Sequence, residues 1–211
     1  MADNGKPTVT ILYPEQHEQA AVALGRAFIN DPSFKPVVRE VADPVIRARL
    51  LAEIFRAMLA VERHHGQPVF GVVDNGQVVG VAATEGTSIV SVLSMMVTGI
   101  GQLPRMLRAA GWGGMLRGFN MMDVLARNHP KEPHLYLQAL GVDPDFQKKH
   151  YGKALLERLR LEAAIRTDVA GVYLETATEA NVAFYSAHGY EVIGELFPQG
   201  VRIWRMYQRK R

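Results

Sequence analysis

The chain has 211 residues, enough for one domain with a full core and room for an insertion. Its apolar share of 48% is ordinary for a globular protein, and a net charge of +3 is too mild, without an aromatic-interleaved basic stripe, to point to nucleic acid. The absence of cysteine excludes disulfides, thiolate catalysis and cysteine-held metals, and is compatible with a reducing cytoplasm.

The first residues, Met1 to Lys6, lack the apolar core of a signal peptide, so a cytoplasmic location is expected. Residues 9–13 predict a strand. Residues 17–28 predict a helix with Ala20, Ala21, Leu24 and Phe28 at helical spacing, ended by Asp31-Pro32. Asp43 is placed to cap a longer helix and Pro44 suits its first turn. Ile46, Leu50, Ile54, Met58 and Val61 give it a buried stripe, and Gly66 stops it. Residues 69–74 and 77–84 predict a hairpin around Asn75-Gly76.

An irregular region follows, and 86–129 is expected to be a helical insertion broken by Gly99, Gly101, Pro104, Gly111, Gly113 and Gly114. The uncharged run 86–104 carries too many polar residues, among them Thr87, Ser88, Ser91, Ser94, Thr98 and Gln102, for a membrane span. Met95, Met96, Met106, Met115, Met121 and Met122 either line an adaptable pocket or pack the insertion onto the core. After it the order is regular. A strand over 134–142, a helix over 151–167 and a strand over 171–176 form a parallel unit. A short helix over 181–188 and strands over 190–196 and 201–207 complete an α/β chain with a mixed sheet. The terminal basic cluster, Arg202, Arg205, Arg209, Lys210 and Arg211, is expected to be a solvated tail.

Two stretches carry chemistry. In the first, a strand turns at Asp143-Pro144 into a helix start, where unpaired amides and the dipole suit a diphosphate. Gly152 lets the backbone approach a ligand, and Lys148, Lys149 and Lys153 add positive charge. The alternative is an ordinary strand-to-helix turn with solvated lysines. In the second, Phe184 packs inward and Tyr185 faces the crevice beyond the parallel strands' carboxyl ends. There a phenol is suited to protonate a departing thiolate; the alternative is a core tyrosine. His64-His65 and His188 lie at helix ends without a second ligand at metal spacing, so no metal is expected.

Together these stretches resemble the GNAT superfamily of N-acetyltransferases. Gln147 and Gly152 stand at the ends of the family's cofactor motif, with His150 where a glycine is usual. Asn181, Phe184, Tyr185, Gly189 and Tyr190 match the second motif in full. Within the family the likeness is to the puromycin N-acetyltransferase-like group. It rests on Pro130-Lys131-Glu132-Pro133, Leu140-Gly141-Val142 with Pro144-Asp145, Leu174-Glu175-Thr176 and the Arg202/Trp204/Met206 ending. It covers roughly the last 80 residues; the first half agrees only in order of elements.

The resemblance implies one GNAT domain over 1–211, with a mostly antiparallel central sheet, one parallel strand-helix-strand unit and flanking helices. It implies acetyl-CoA as acyl donor. The backbone of Leu140, Gly141 and Val142 holds the pantetheine arm, Gln147, Lys148, Lys149, His150, Tyr151, Gly152 and Lys153 hold the diphosphate, and Asn181 and Phe184 complete the site. A backbone N–H near Leu140 stabilises the oxyanion, and Tyr185 is the general acid. At His150 a positive φ, if the loop needs one, is costly for histidine. The base is open. Tyr136 occupies the position of a glutamate that some relatives carry. Glu175 is the best nearby carboxylate, either catalytic or a structural hydrogen-bond acceptor, and His134 is a further candidate. His134, Tyr136, Gln138, Leu140 and Val142 are expected on one strand face. The expected acceptor is a small-molecule primary amine, attacked without an acetyl-enzyme. A protein lysine or N-terminus, and a non-catalytic acyl-CoA-binding module, are the alternatives. No nucleic acid or membrane partner is expected, and the sequence leaves a homodimer open.

Overall fold

The computed structural model describes residues 7–85 and 100–210. In chain order the elements are β1 (Val9–Ile11), α1 (His17–Ala27), α2 (Pro44–His64), β2 (Val69–Asp74), β3 (Gln77–Glu85), α3 (Leu103–Arg127), β4 (Leu135–Val142), α4 (Tyr151–Ile165), β5 (Gly171–Thr176), α5 (Glu179–Ser186), β6 (Glu191–Leu196) and β7 (Ile203–Arg209). The strands form one sheet in the order β1-β2-β3-β4-β5-β7-β6. β4 and β5 run parallel, and every other neighbouring pair is antiparallel. This is the mixed, mostly antiparallel sheet that the resemblance implied.

Each face of the sheet has its own core. On one face α4 contributes Leu155, Leu156, Leu159 and Ala163, packed with Phe70, Leu135, Leu137, Leu174 and Met206 of the strands. On the other, Leu24 of α1 and Leu51, Phe55 and Leu59 of α2 pack on Val69, Val81 and Ala139. Each fully buried leucine contributes about 1.5–3 kcal/mol.

Local chemistry explains the turns. Asn75 and Gly76 have φ of 50° and 79°, the doubly left-handed turn that matches strand twist. Asp43 caps α2 by accepting hydrogen bonds from the amides of Val45 and Ile46 at 2.7 and 3.2 Å.

The structure departs from expectation in several places. The buried stripe of α2 is Leu51, Phe55, Leu59 and Glu62, next to the predicted one; of the predicted residues Val61 is buried, Leu50, Ile54 and Met58 lie at the margin and Ile46 is exposed. Both registers are apolar, and only packing on α1 selects between them. In the insertion, Gly99, Met95, Met96, Thr87, Ser88, Ser91, Ser94 and Thr98 lie outside the described residues. Pro104 sits in the first turn of α3 and Gly113 and Gly114 continue it; Gly111 alone, at φ 66° and ψ 174°, kinks it. Met115 and Met121 are buried, whereas Met122 is exposed. The basic cluster is no tail: Arg202 precedes β7, Arg205 and Arg209 belong to it, and Lys210 follows it; Arg202 pairs with Glu195 and Arg209 with Glu132, while Arg211 is outside the described residues. Among the described residues no helix is long and apolar enough to cross a membrane.

β4 also breaks its own alternation. Ala83 pairs with Ala139 but Thr84 pairs with Leu137, so Gln138 is a bulge. The extra residue resets the faces. Leu140 and Val142 join the core of Leu135 and Leu137, whereas Ala139 faces α1 and α2. The single face expected for Tyr136, Gln138, Leu140 and Val142 is therefore split at Gln138.

Candidate functional site

The bulge and the end of a ladder coincide. β4 pairs with β5 only through Leu135, Tyr136 and Leu137, yet continues to Val142 against β3 alone. Residues 138–142 thus have a paired strand on one side and, among the described residues, none on the other. An extended ligand with amide groups can complete such an edge.

The chain then turns. Asp143 is buried, accepts from the Asp145 amide at 3.0 Å, and pairs with Nε of Arg26 on α1 at 3.0 Å. Arg26 also meets Asp145 at 2.6 Å, so α1 clamps the turn. Gln147 donates its side-chain N–H to the Val142 carbonyl at 3.2 Å. Lys148 and His150 are left-handed, at φ 65° and 61°. Each such residue costs about 1–2 kcal/mol. Backbone of this kind forms anion-binding concavities, and strain of this kind concentrates at functional sites. The expected departure at His150 is thus accommodated by histidine in the conformation a glycine would adopt.

α4 starts without a side-chain cap. Its first intrahelical bond runs from the Ala154 amide to the His150 carbonyl, so the amides of Tyr151, Gly152 and Lys153 precede it. These are orphan donors at the positive end of a 15-residue helix. A Cβ on Gly152 would lie 3.3 Å from the Phe184 ring and about 4 Å from Val142 and Leu140 side chains. Leu140, Val142, Gly152 and Phe184 are therefore contiguous, and the glycine serves helix packing against that ring. Lys149 and Tyr151 turn their side chains elsewhere: both reach Asp74, at 3.3 and 2.8 Å. Only their backbone faces the loop's task.

α5 is capped by Thr178, whose hydroxyl accepts from the Asn181 amide at 3.3 Å. Tyr185 is buried, its ring 5.4 Å from Phe184 and 5.7 Å from Tyr190. Its hydroxyl makes no hydrogen bond among the described residues. Burial first, and the charge of Asp31 second, push its phenol above the ordinary value. It therefore keeps its proton at every working pH. Burial raises the proton affinity of a nearby thiolate by the same physics.

Glu175 lies in a different cluster. Its side chain is buried and accepts hydroxyl protons from Tyr136 at 2.5 Å and Tyr173 at 2.7 Å. His129 Nε2 stands 3.6 Å from its Oε1. Behind it His134 lies 3.3 Å from His129, and its Nδ1 donates to the Glu132 carbonyl at 2.8 Å. Burial raises the Glu175 carboxyl against the two hydroxyl donors that lower it. Burial, with His134 and Arg205, lowers His129 to about 4. The carbonyl fixes the His134 proton on Nδ1, so neutral His129 turns a bare Nε2 toward Glu175.

Sequence patterns assign no functional role to His129, Tyr173, Glu62, Glu85, Gln138 or Asp31. One signal was present: Glu62 follows Leu51, Phe55 and Leu59 at helical spacing, a carboxylate within an apolar stripe.

Comparison with known proteins agrees with this geometry. Residues 110–192 match the family model of the acetyltransferase (GNAT) domain, a span that includes β4, α4, β5 and α5. In fold the chain is similar to a histone acetyltransferase HPA2 and related acetyltransferase from Corynebacterium glutamicum, 22% identical, with 97% of each chain covered and a TM-score of 0.69. It is also similar to the polyamine N-acetyltransferase of Drosophila melanogaster, 16% identical, covering 97% of this chain and 100% of that one, TM-score 0.56. A third is the ribosomal-protein-S18-alanine N-acetyltransferase of Escherichia coli, 16% identical, covering 97% and 94%, TM-score 0.54. The fold is GNAT-like, and with the domain match it supports an acyl-CoA N-acyltransferase.

Proposed function

We propose that the chain moves an acetyl group from acetyl-CoA to a primary amine of a small molecule by direct attack. One observation carries this reading: the free edge of β4 leads without interruption into the strained loop and uncapped start of α4. An acyl-pantetheine diphosphate has the matching groups in the matching order, amides along an extended arm and then two phosphates.

In this reading the backbone of Leu140, Gly141 and Val142 holds the arm and the amides from Lys148 to Lys153 the diphosphate, with Gln147 fixing the intervening turn. Asn181 and Phe184 close the site from α5. Acetyl-CoA supplies the activated acetyl group. Tyr185 gives its proton to the departing sulphur. Glu175, whose oxygens are taken by two phenols, acts through Tyr136 by holding it beside the bulge. The C-terminal likeness to puromycin N-acetyltransferase-like enzymes and the polyamine enzyme among the structural relatives favour a small-molecule acceptor.

The test is a panel of primary amines and N-terminal and lysine peptides, scored by thiol release from acetyl-CoA. Tyr185→Phe is expected to lower kcat by about 10²–10⁴-fold with acetyl-CoA affinity unchanged. Turnover of peptides alone contradicts the acceptor class, and a trapped acetyl-enzyme contradicts direct attack.

A further inference from the structure

The β4 bulge gathers polar side chains from three elements. Gln138 donates its side-chain N–H to Oε2 of Glu85, the last residue of β3, at 2.8 Å. Glu62 arrives from α2 and is only 2% exposed; Glu85 is 8% exposed. Glu62 lies close enough to feel both the charge of Glu85 and the amide of Gln138.

The unmatched atoms here are all of one kind. Oε1 of Gln138 and Oε2 of Glu62 are buried and have no hydrogen-bond partner among the described residues. Glu62 makes no ion pair among the described residues. Buried acceptors without donors are rare in native proteins. Their complement is a compact group with several N–H donors and positive charge, and an ammonium has three donors and no acceptor. Charge agrees. Burial first, and the Glu85 charge second, push the Glu62 carboxyl up to about 8, so at neutral pH Glu62 holds a proton that an arriving ammonium would displace, which leaves its oxygens as acceptors. Place agrees as well, since the β4–β5 ladder ends at Leu137, the residue before Gln138. The other titratable groups facing this point are Tyr136, paired with Glu85 across the ladder, and behind it Glu175 and His129.

We propose that Gln138, Glu62 and Glu85 form the subsite for the acceptor's reacting nitrogen, which enters as an ammonium, and that Glu85 takes the proton it loses. Glu62 is the positioning residue, across the Gln138 amide. The assignment rests on the acetyl-transfer reading above. The step balances. Glu85 carboxylate takes one proton and leaves a neutral amine. Nitrogen attacks the thioester carbon, the N–C bond forms and the C–S bond breaks. Sulphur keeps the electron pair and takes the Tyr185 hydroxyl proton. The second nitrogen proton restores Tyr185, and Glu85 releases its own to solvent.

The experiment measures steady-state acetylation of the best amine of a fixed panel between pH 6 and 10, with calorimetry of acetyl-CoA on each variant. Glu85→Gln is expected to lose at least about 100-fold in kcat/KM at pH 7, a deficit that shrinks as pH approaches the amine's own pKa. Glu62→Gln is expected to raise the amine KM about tenfold and to remove the inflection near pH 8. Acetyl-CoA affinity stays at the wild-type value in both. If Glu85→Gln fails to fold, Gln138→Leu carries the same KM expectation. Variants with wild-type KM and pH profile, altered only in melting temperature, mean that a buried water completes the cluster and overturn the subsite alone. A wild-type chain that neither binds acetyl-CoA nor acetylates any amine overturns the acetyl-transfer reading and this one with it.

Discussion

Two buried carboxyl clusters flank Tyr136, and they differ in how their oxygens are used. Glu175 has a phenol hydroxyl on each oxygen and an imidazole beside it. Around Glu62, Glu85 accepts the Gln138 amide N–H, while Gln138 Oε1 and Glu62 Oε2 have no partner among the described residues. Desolvation raises both Glu175 and Glu62. Burial therefore does not separate a scaffold from a site. Satisfaction does: a saturated carboxylate organises its neighbours, and an unsaturated one is suited to a donor from outside.

Leucine at each position gives the sharpest contrast. Glu175→Leu strands two buried phenol hydroxyls and is expected to cost about 2–6 kcal/mol, read by urea denaturation at pH 7. Glu62→Leu removes an under-satisfied acid and is expected to be neutral or stabilising. Equal losses would erase the distinction.

Glu62 and His129 answer to pH with opposite sign. Glu62 titrates near 8 when folded and near its ordinary 4.5 when unfolded. Its contribution is complete below pH 4.5 and is lost as pH rises to about 8. His129 falls to about 4 from 6.5, so its contribution is complete above pH 6.5 and is lost as pH falls to about 4. Each limb is expected to span on the order of 3–5 kcal/mol. Glu62→Gln should flatten the alkaline limb and His129→Gln the acid limb, in denaturation midpoints across pH 4 to 9. A variant that flattens the wrong limb breaks the assignment.

The smallest effect concerns the coenzyme loop. His150→Gly relieves a left-handed histidine and is expected to stabilise by about 1 kcal/mol without weakening acetyl-CoA binding. Destabilisation would show that the imidazole itself holds the loop.

What the sequence disclosed follows the same division. Asn75-Gly76, the Asp43-Pro44 start and the run from Gln147 to Gly152 are local features, and the structure has each where the chain chemistry puts it. The stripe of α2, the bulge at Gln138 and the meeting of Glu62 with Glu85 depend on contacts between distant segments. Nothing local chooses Leu51 over Leu50, or marks Gln138 as the extra residue. Glu175 was visible as a candidate, but Tyr136, Tyr173 and His129, which determine its chemistry, come together only through the sheet.

Hydrogen exchange with and without acetyl-CoA tests the central claim most directly. The account predicts that the coenzyme slows exchange at the amides of Leu140 and Val142, which face the free edge, and of Lys148 to Lys153, and that Tyr185→Phe leaves this protection intact. Protection confined to other segments, or none at saturating coenzyme, would contradict it.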